Sequence, residues 1–168
     1  WNRAEPVMEA LVQQVQESCS AAVLDATDIV YVLRVPTQKI MRITLGVGSR
    51  LPAWCTSMGR LLLSDLPEGE LQARLAASTI EAFTKHTLTE REAITARVQQ
   101  ARKQGWCVVN QELEEGLISI AAPITDRAGR MVAALNISGQ ANRTSAKVMQ
   151  ETMLPSLLAA ARRISSLI

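Results

Sequence analysis

Between Gly105 and Gly139, apolar and polar residues alternate in a pattern that predicts β-strands at 106–112, 117–124 and 131–138. Because successive side chains of a strand point to opposite faces, the last two strands each have one bulky face. The bulky residues are Ile118, Ile120, Ala122 and Ile124 in one strand and Met131, Ala133, Leu135 and Ile137 in the other. We expect these faces to pack into the core of an antiparallel sheet.

The opposite faces of these two strands carry small or polar side chains. They consist of Leu117, Ser119, Ala121 and Pro123, and of Val132, Ala134, Asn136 and Ser138. Small residues leave a hollow, and hydroxyl and amide groups on its floor suit a small polar ligand. A solvated sheet face would carry the same residue types, so the alternation leaves both interpretations open.

Helical spacing of apolar residues predicts amphipathic helices at both ends of the chain. At 6–17 the apolar positions are Val7, Met8, Leu11, Val12 and Val15. At 143–168 they are Ala146, Met149, Met153, Leu157, Ala161, Ile164 and Ile168. Pro155 is expected to kink the second helix because proline cannot donate the helical hydrogen bond.

Three further strands are predicted at 18–24, 29–35 and 39–45, with a hairpin-type connection at 36–38. The element order is then helix, three strands, helices, three strands and helix. Strands that occur in runs indicate the α+β class, with helices packed on one antiparallel sheet.

Three helices are predicted in the middle of the chain. Pro52 is placed to begin the first, and Thr56 and Ser57 fall near its first turn. A helix start has free backbone N–H groups that bind carboxylate or phosphate, although ordinary capping explains the same residues. The second helix is predicted at 67–77. A capping-box sequence at 89–92 opens the third, which ends at Gly105.

Composition indicates a globular domain of ordinary size. The chain has 168 residues, 48% hydrophobic and 20% charged, and its net charge of +2 favours neither nucleic acid nor a membrane as partner. The cysteines Cys19, Cys55 and Cys107 form no close pair. This pattern fits a reduced cytoplasm and predicts neither a disulfide framework nor a zinc site. Because the chain begins at Trp1 rather than Met, we expect a fragment of a longer protein.

Residues able to carry out catalysis are few. His86 is the only histidine and has no acidic neighbour, so no nucleophile–histidine arrangement is indicated. The sequence contains no dinucleotide or P-loop fingerprint and no metal-ligand spacing, so neither cofactor nor metal is expected. Glu112 ends its strand beside Glu114 and Glu115, where it could face the hollow. A hydrolase of small esters using Glu112 is therefore an alternative function.

Three arginines surround the predicted Pro52 helix. They are Arg42, Arg50 and Arg60. A guanidinium can hold an anionic ligand by paired hydrogen bonds. Surface arginines would give the same pattern, so this observation does not decide between the two roles.

Two long stretches and the closing helix together form a spaced pattern. The stretches are SRLPAWCTSMGRLLLSDLPEGEL from residue 49 and QGWCVVNQELEEGLISIAAPITDRAGRMVAALNISG from residue 104. With the helix at 143–168, they resemble the effector-binding domain of IclR-type transcriptional regulators. Within that family, the sequences of these stretches resemble those of the branch that regulates aromatic-acid breakdown, the protocatechuate and β-ketoadipate group.

The resemblance implies a GAF-like fold, a six-stranded antiparallel sheet flanked by helices, with residues 1–168 forming one domain that senses a ligand and oligomerises. It implies a small organic acid as effector and a homodimer or tetramer. Operator DNA would be bound through a winged helix-turn-helix domain expected upstream and absent from this chain. Carried over to this sequence, the ligand-binding positions are Ser57, Met58, Val109, Ser119, Asn136 and Ser138.

This sequence departs from the family pattern at three positions. Ile118 stands where many relatives carry Arg, and Val109 and Ser119 replace an acid and a thiol seen in some members. The ligands of those members therefore cannot be transferred to this chain.

The sequence predicts a cytoplasmic, non-catalytic sensor of an aromatic acid or a β-ketoadipate-pathway metabolite, which modulates DNA binding by the full-length protein. We include Glu112 among the candidate ligand-binding residues. The alternatives are the Glu112 hydrolase and a sensor of a cyclic nucleotide or chromophore. The chain has few aromatic residues with which to stack a base.

Overall fold

A six-stranded sheet with helices on both faces forms the framework of the protein. The computed structural model describes residues 1–37 and 45–168. The strands are β1 (Ser18–Asp25), β2 (Asp28–Val35), β3 (Arg50–Pro52), β4 (Cys107–Asn110), β5 (Leu117–Thr125) and β6 (Met131–Gln140). The helices are α1 (Glu5–Val15), α2 (Ser57–Leu63), α3 (Glu68–Ala77), α4 (Arg91–Gln104), α5 (Ala146–Val148) and α6 (Leu154–Leu167), with a π-helical turn at Met149–Met153.

The strand order across the sheet is β3-β2-β1-β6-β5-β4, and every neighbouring pair is antiparallel. This arrangement confirms the predicted α+β class and the six-stranded antiparallel sheet. Of the strand predicted at 39–45, residues 39–44 lie outside the described residues, and Leu45 belongs to no strand. The edge position beside β2 is taken by β3.

Pro52 lies in β3 and does not begin a helix, so that prediction was wrong. Because β3 is an edge strand, a residue without a backbone N–H can be accommodated there. The helix begins at Ser57 instead, where the Thr56 side chain accepts a hydrogen bond from the Gly59 N–H at 3.2 Å. Gly59 allows close packing, because a Cβ at this position would overlap the backbone of Ala53.

The capping box predicted at 89–92 is not formed. α4 begins at Arg91, and no side chain caps its first turn. Arg91 instead donates to the side-chain oxygen and the carbonyl oxygen of Gln72, both at 2.8 Å, so a contact with α3 fixes this helix start. Gly105 ends α4 in the left-handed conformation at φ 79°, as predicted.

The bulky faces of β5 and β6 pack against α6, and α1 packs beside α6 on β1 and β2. Their fully buried residues are Ile118, Ile120, Ala122, Ile124, Ala133, Leu135 and Ile137. Met131 is an exception and packs on the opposite face. The register pairs Ile124 with Ala133 but Thr125 with Met131, so Val132 forms a bulge and the alternation reverses there.

The C-terminal helix is irregular just before Pro155. Proline has no N–H to donate to the carbonyl four residues earlier, and a π-helical turn directly precedes α6. Four residues of the predicted stripe are buried, namely Met149, Leu157, Ala161 and Ile164. Ile168 is 46% exposed, so its assignment to the buried stripe was wrong.

The other face of the sheet is covered by α2 and α4, and α3 contributes Leu71 and Leu75 to the hydrophobic cluster on this side. Every residue of α2 is buried, because this short helix lies between the sheet and α4. Trp54, just before α2, stacks on Phe83 with ring centroids 5.9 Å apart. This helical layer and the sheet face beneath it enclose the polar groups of the candidate site.

Candidate functional site

One cavity lies between the start of α2 and the sheet, and it brings together residues from distant parts of the chain. Six of the predicted ligand-binding residues line it, namely Ser57, Met58, Val109, Ser119, Asn136 and Ser138. They come from α2, β4, β5 and β6. The cavity volume is about 30 Å³, which is room for about two water molecules.

The floor of the cavity is a hydrogen-bonded polar group on β1 and β6. The Asn136 side chain accepts from the Ser20 N–H at 2.9 Å and donates to Ser138 Oγ at 3.1 Å. Asn136 is 3% exposed and Ser138 is 7% exposed, so these residues do not form a solvated face. Because Asn136 uses Ser138 Oγ as an acceptor, and no described residue accepts the Ser138 proton, this hydroxyl can donate to a ligand.

The start of α2 forms the roof of the cavity. Thr56 accepts the Gly59 N–H, and within the described residues nothing accepts the backbone N–H groups of Ser57 and Met58. Ser57 Oγ and Ser119 Oγ lie 2.7 Å apart, so one hydrogen bond joins α2 to β5 across the cavity. These N–H and hydroxyl groups are suited to binding a carboxylate.

Apolar side chains make up most of the remaining wall. They are Ile29, Leu51, Leu113 and Leu117, together with Met58 and Val109. Ala134, on the small and polar face of its strand, belongs to the buried cluster on the same side of the sheet. The ring-sized part of a ligand would therefore contact aliphatic carbon on several sides.

Tyr31 and Cys55 also line the cavity, and the sequence analysis did not identify them. Alternation along β2 places Tyr31 and Ile29 on the same face of that strand. Only the sheet register shows that Ser138 lies on the same side of the sheet. Burial raises the pKa of Tyr31 to about 12, against the opposing charge of Arg34. Burial likewise raises the pKa of the Cys55 thiol to about 12. Both groups are therefore uncharged at neutral pH.

Glu112 does not line this cavity. Its two carboxylate oxygens accept from the Arg60 guanidinium at 2.7 and 2.6 Å, and one of them also accepts the Leu88 N–H at 3.0 Å. Arg60 is 1% exposed and donates through Nε to the Trp54 carbonyl at 2.8 Å. A carboxylate held in this way ties α2 to the segment after β4, and it is poorly placed to act as a general base.

Of the other arginines predicted near α2, only Arg50 is described, and it does not line the cavity. Arg42 lies outside the described residues. Arg50 pairs with Asp25 and Asp28 at 2.8 and 3.1 Å on the surface, and hydrogen bonds to these carboxylates raise the pKa of Arg50. Among the described residues, N–H and hydroxyl groups rather than these arginines would bind an anion in the cavity.

Other chemical groups of the described chain do not form a second centre. No cluster of His, Cys, Asp and Glu in residues 1–37 and 45–168 could hold a metal ion. His86 is exposed in the loop between α3 and α4. None of the described helices combines the length and apolar character needed to cross a membrane.

Known proteins with a similar sequence or fold are transcriptional regulators. Residues 1–166 match the family model described as Bacterial transcriptional regulator IclR C-terminal. The chain is 43% identical over 160 residues to the Pca regulon regulatory protein of Pseudomonas putida, which covers 95% of this chain and 55% of that protein. It thus spans about half the length of this relative.

Two solved structures share the fold. The C-terminal domain of the transcriptional regulator KdgR of E. coli has a TM-score of 0.87 at 32% identity, covering 98% of this chain and 95% of that one. A double mutant of the PobR inducer-binding domain of Acinetobacter, in complex with 3-hydroxybenzoic acid, has a TM-score of 0.91 at 29% identity, covering 99% and 98%. This chain therefore belongs to the family of C-terminal domains of IclR-type transcriptional regulators, as predicted, and it is part of a regulator rather than an enzyme.

Proposed function

We propose that this chain senses a small aromatic acid, or another acid of the β-ketoadipate pathway, in the cavity beneath α2. One observation carries the proposal: six residues from four separate elements meet around one buried cavity. The cavity combines aliphatic walls with a few converging hydrogen-bond donors, which is the usual composition of a small-molecule site.

The relatives support the chemical class of the ligand. The PobR domain was solved with 3-hydroxybenzoic acid, and the Pseudomonas relative is the regulator of the Pca regulon. Both similarities extend over at least 95% of this chain. The proposal gives this chain a ligand of the same class.

The donors of the cavity suit a carboxylate at one end of the ligand. The N–H groups of Ser57 and Met58 and the hydroxyl of Ser138 would donate to it. The aromatic ring would then lie against Met58, Val109 and Leu117. Hydrogen bonds to a charged acceptor contribute about 1.5–3 kcal/mol each, so a few of them are enough to select an acid over a neutral analogue.

Ligand binding is expected to widen the cavity. A volume of about 30 Å³ is smaller than an aromatic acid. The hydrogen bond between Ser57 and Ser119 crosses the space that the ligand would occupy, so the roof must move away from β5. We propose that this movement of α2 shifts an existing equilibrium between two arrangements of the protein.

We extend the proposal to the full-length protein as follows. A winged helix-turn-helix domain precedes this domain and binds operator DNA, and the regulator works as a homodimer or tetramer in the cytoplasm. The effector would change DNA binding by repositioning these DNA-binding domains.

A thermal-shift titration tests the sensor function. The ligands would be 3-hydroxybenzoate, 4-hydroxybenzoate, protocatechuate, β-ketoadipate, pyruvate and glyoxylate. A ligand at about 100 times its Kd stabilises the folded state by roughly 2.7 kcal/mol, which gives a measurable rise in Tm. We expect a saturable rise with one class of acid and no product formed.

Ser138→Ala is expected to weaken the binding of that acid about tenfold, because it removes one donor to the carboxylate. Ser166→Ala is the matched control, since Ser166 is exposed near the C-terminus of α6. Equal affinity for the wild type and Ser138→Ala would place the acid elsewhere. The absence of any shift with all six acids would refute the proposed ligand class.

A further inference from the structure

Apart from the floor and the roof, the described lining of the cavity includes the phenol of Tyr31. Tyr31 is the only tyrosine of the chain, is 4% exposed and lines the cavity. Its hydroxyl takes part in no hydrogen bond among the described residues, and its oxygen is not fully enclosed by protein atoms. Because the hydroxyl of a buried tyrosine normally has a partner, an unpaired hydroxyl on a residue that lines the cavity suits a group supplied by a ligand.

Tyr31 and Ser138 stand at opposite ends of the same sheet face. The register pairs Tyr31 with Ala22 and Ala22 with Ala134, whereas Ser138 lies four residues further along β6. Their Cα atoms are thus separated by about 10 Å across two strands and about 14 Å along them. Ala22 and Ala134 stand level with Tyr31 in the register, and Ser20 and Asn136 lie between this row and Ser138.

The guanidinium of Arg34 is less available to a ligand than the phenol of Tyr31. Arg34 is on the same face as Ser20 and donates through its guanidinium to Ser20 Oγ at 3.1 Å. Arg34 does not line the cavity, whereas Tyr31 does. The phenol is therefore the group that a ligand would meet at this end.

Building on the proposed function, we propose that Tyr31 selects aromatic acids that carry a hydroxyl group on the ring. The carboxylate binds at the end formed by Ser57, Met58 and Ser138. The ring lies along the aliphatic walls, and its hydroxyl exchanges a hydrogen bond with the Tyr31 phenol. A phenol both donates and accepts, so it suits a hydroxyl partner. Unsubstituted benzoate leaves Tyr31 without a partner, and a short oxoacid cannot reach both ends.

A comparison of two ligand types on two proteins tests this assignment. Benzoate, 3-hydroxybenzoate and 4-hydroxybenzoate are titrated into the wild-type chain and into Tyr31→Phe by calorimetry. We expect at least one hydroxybenzoate to bind the wild type about tenfold more tightly than benzoate does. In Tyr31→Phe this preference disappears, while the Kd for benzoate stays within about twofold. Phe keeps the ring packing, and an unchanged Tm at neutral pH without ligand confirms that the variant is folded.

A spectroscopic measurement gives a second readout. Because Tyr31 is the only tyrosine, ¹³C labelling of tyrosine gives a single Cζ resonance in the NMR spectrum. We expect the bound hydroxybenzoate to shift this resonance more than benzoate does, since only the former contacts the phenol oxygen.

The outcomes separate the two proposals. Binding of hydroxybenzoates with an undiminished preference in Tyr31→Phe would overturn the role of Tyr31 and leave the sensor function standing. An equal loss for benzoate and hydroxybenzoates would show that Tyr31 acts by packing alone, which also overturns selection. Binding of none of the three acids by the wild type would overturn the role of Tyr31, and the sensor function would then be decided by the remaining acids of the thermal-shift titration.

Discussion

The two faces of the sheet are covered by helices, but they are built on different principles. Under α1 and α6 the sheet presents mainly aliphatic residues, such as Ile118, Ile120 and Leu135, all fully buried. Under α2 the same strands present Ser119, Asn136 and Ser138, and a buried ion pair lies nearby. Neighbouring residues of one strand, Ser119 and Ile120, thus have opposite surroundings.

The two faces of the sheet contribute to different properties, one to stability and the other to function. The aliphatic face contributes hydrophobic burial and contains no cavity residue. The polar face buries fewer apolar groups. Its hydrogen-bond donors either bond to other groups of the same face or point into the cavity. Polar groups can be kept there because Asn136, Ser138 and Ser20 bond to one another, so few donors lose hydration without a replacement. Substitutions on the two faces should therefore have different consequences.

The largest effect is expected at the buried ion pair of the polar face. Glu112→Gln leaves the Arg60 charge buried without a carboxylate partner, which should reduce the free energy of unfolding by about 3–5 kcal/mol. Urea denaturation measures this loss. Glu115→Gln is the control, because Glu115 is exposed in the same connection. A loss below about 1 kcal/mol for Glu112→Gln would show that the pair does not hold α2 in place.

A slightly smaller loss is expected from a cavity on the aliphatic face. Ile120→Ala removes three buried carbons and should cost about 2–5 kcal/mol of unfolding free energy. Val132→Ala is the control on β6, where the side chain is 38% exposed and the change should stay within about 0.5 kcal/mol. The Kd for the effector should not change in Ile120→Ala. A large change in that Kd would remove the distinction between the two faces.

An intermediate effect is expected from the alkaline titration of Tyr31. Its folded pKa of about 12 lies above the ordinary value of 10.0, so its contribution to stability is complete below about pH 10. That contribution is lost as the pH rises through 12, at up to about 1.4 kcal/mol per pH unit. The wild-type unfolding free energy should therefore fall more steeply between pH 10 and 12 than that of Tyr31→Phe. Equal slopes would mean that the phenol is exposed to solvent.

The smallest effect on stability is expected at the hydrogen bond across the cavity. Ser119→Ala removes a neutral bond to Ser57 and should cost only about 0.5–1.5 kcal/mol. If this bond must break when the effector binds, its loss also facilitates opening, so the effector should bind Ser119→Ala faster than wild type. Stopped-flow binding measures this rate. An unchanged rate would indicate that the roof does not move through this contact.

Much of the site followed from strand alternation and the resemblance. Because side chains alternate along a strand, Ser119, Asn136 and Ser138 were predicted to lie on one face. The resemblance added Ser57, Met58 and Val109. All six residues line one cavity. Glu112 was also predicted to bind the ligand because it ends a strand, but it does not line the cavity. Whether it faced the cavity depended on Arg60, which is 52 residues away in sequence and binds both of its oxygens.

The errors fall where contacts distant in sequence compete with local signals. Pro52 fits a helix start locally, but pairing of β3 with β2 makes it an edge-strand residue. Thr89 fits a capping box, but Arg91 is fixed by Gln72 of α3. Met131 follows the alternation of β6 until the bulge at Val132 reverses it.

The sequence by itself determined the class of the fold, the family and the polar face, because these depend on periodicity within single strands and on long spaced motifs. Only the tertiary structure decided which polar residues meet. It placed Tyr31 in the cavity and Glu112 outside it, since sheet register and the packing of α2 join segments that are far apart along the chain. Side-chain alternation fixes the face of a residue, but the partners of that face are fixed by the pairing of strands.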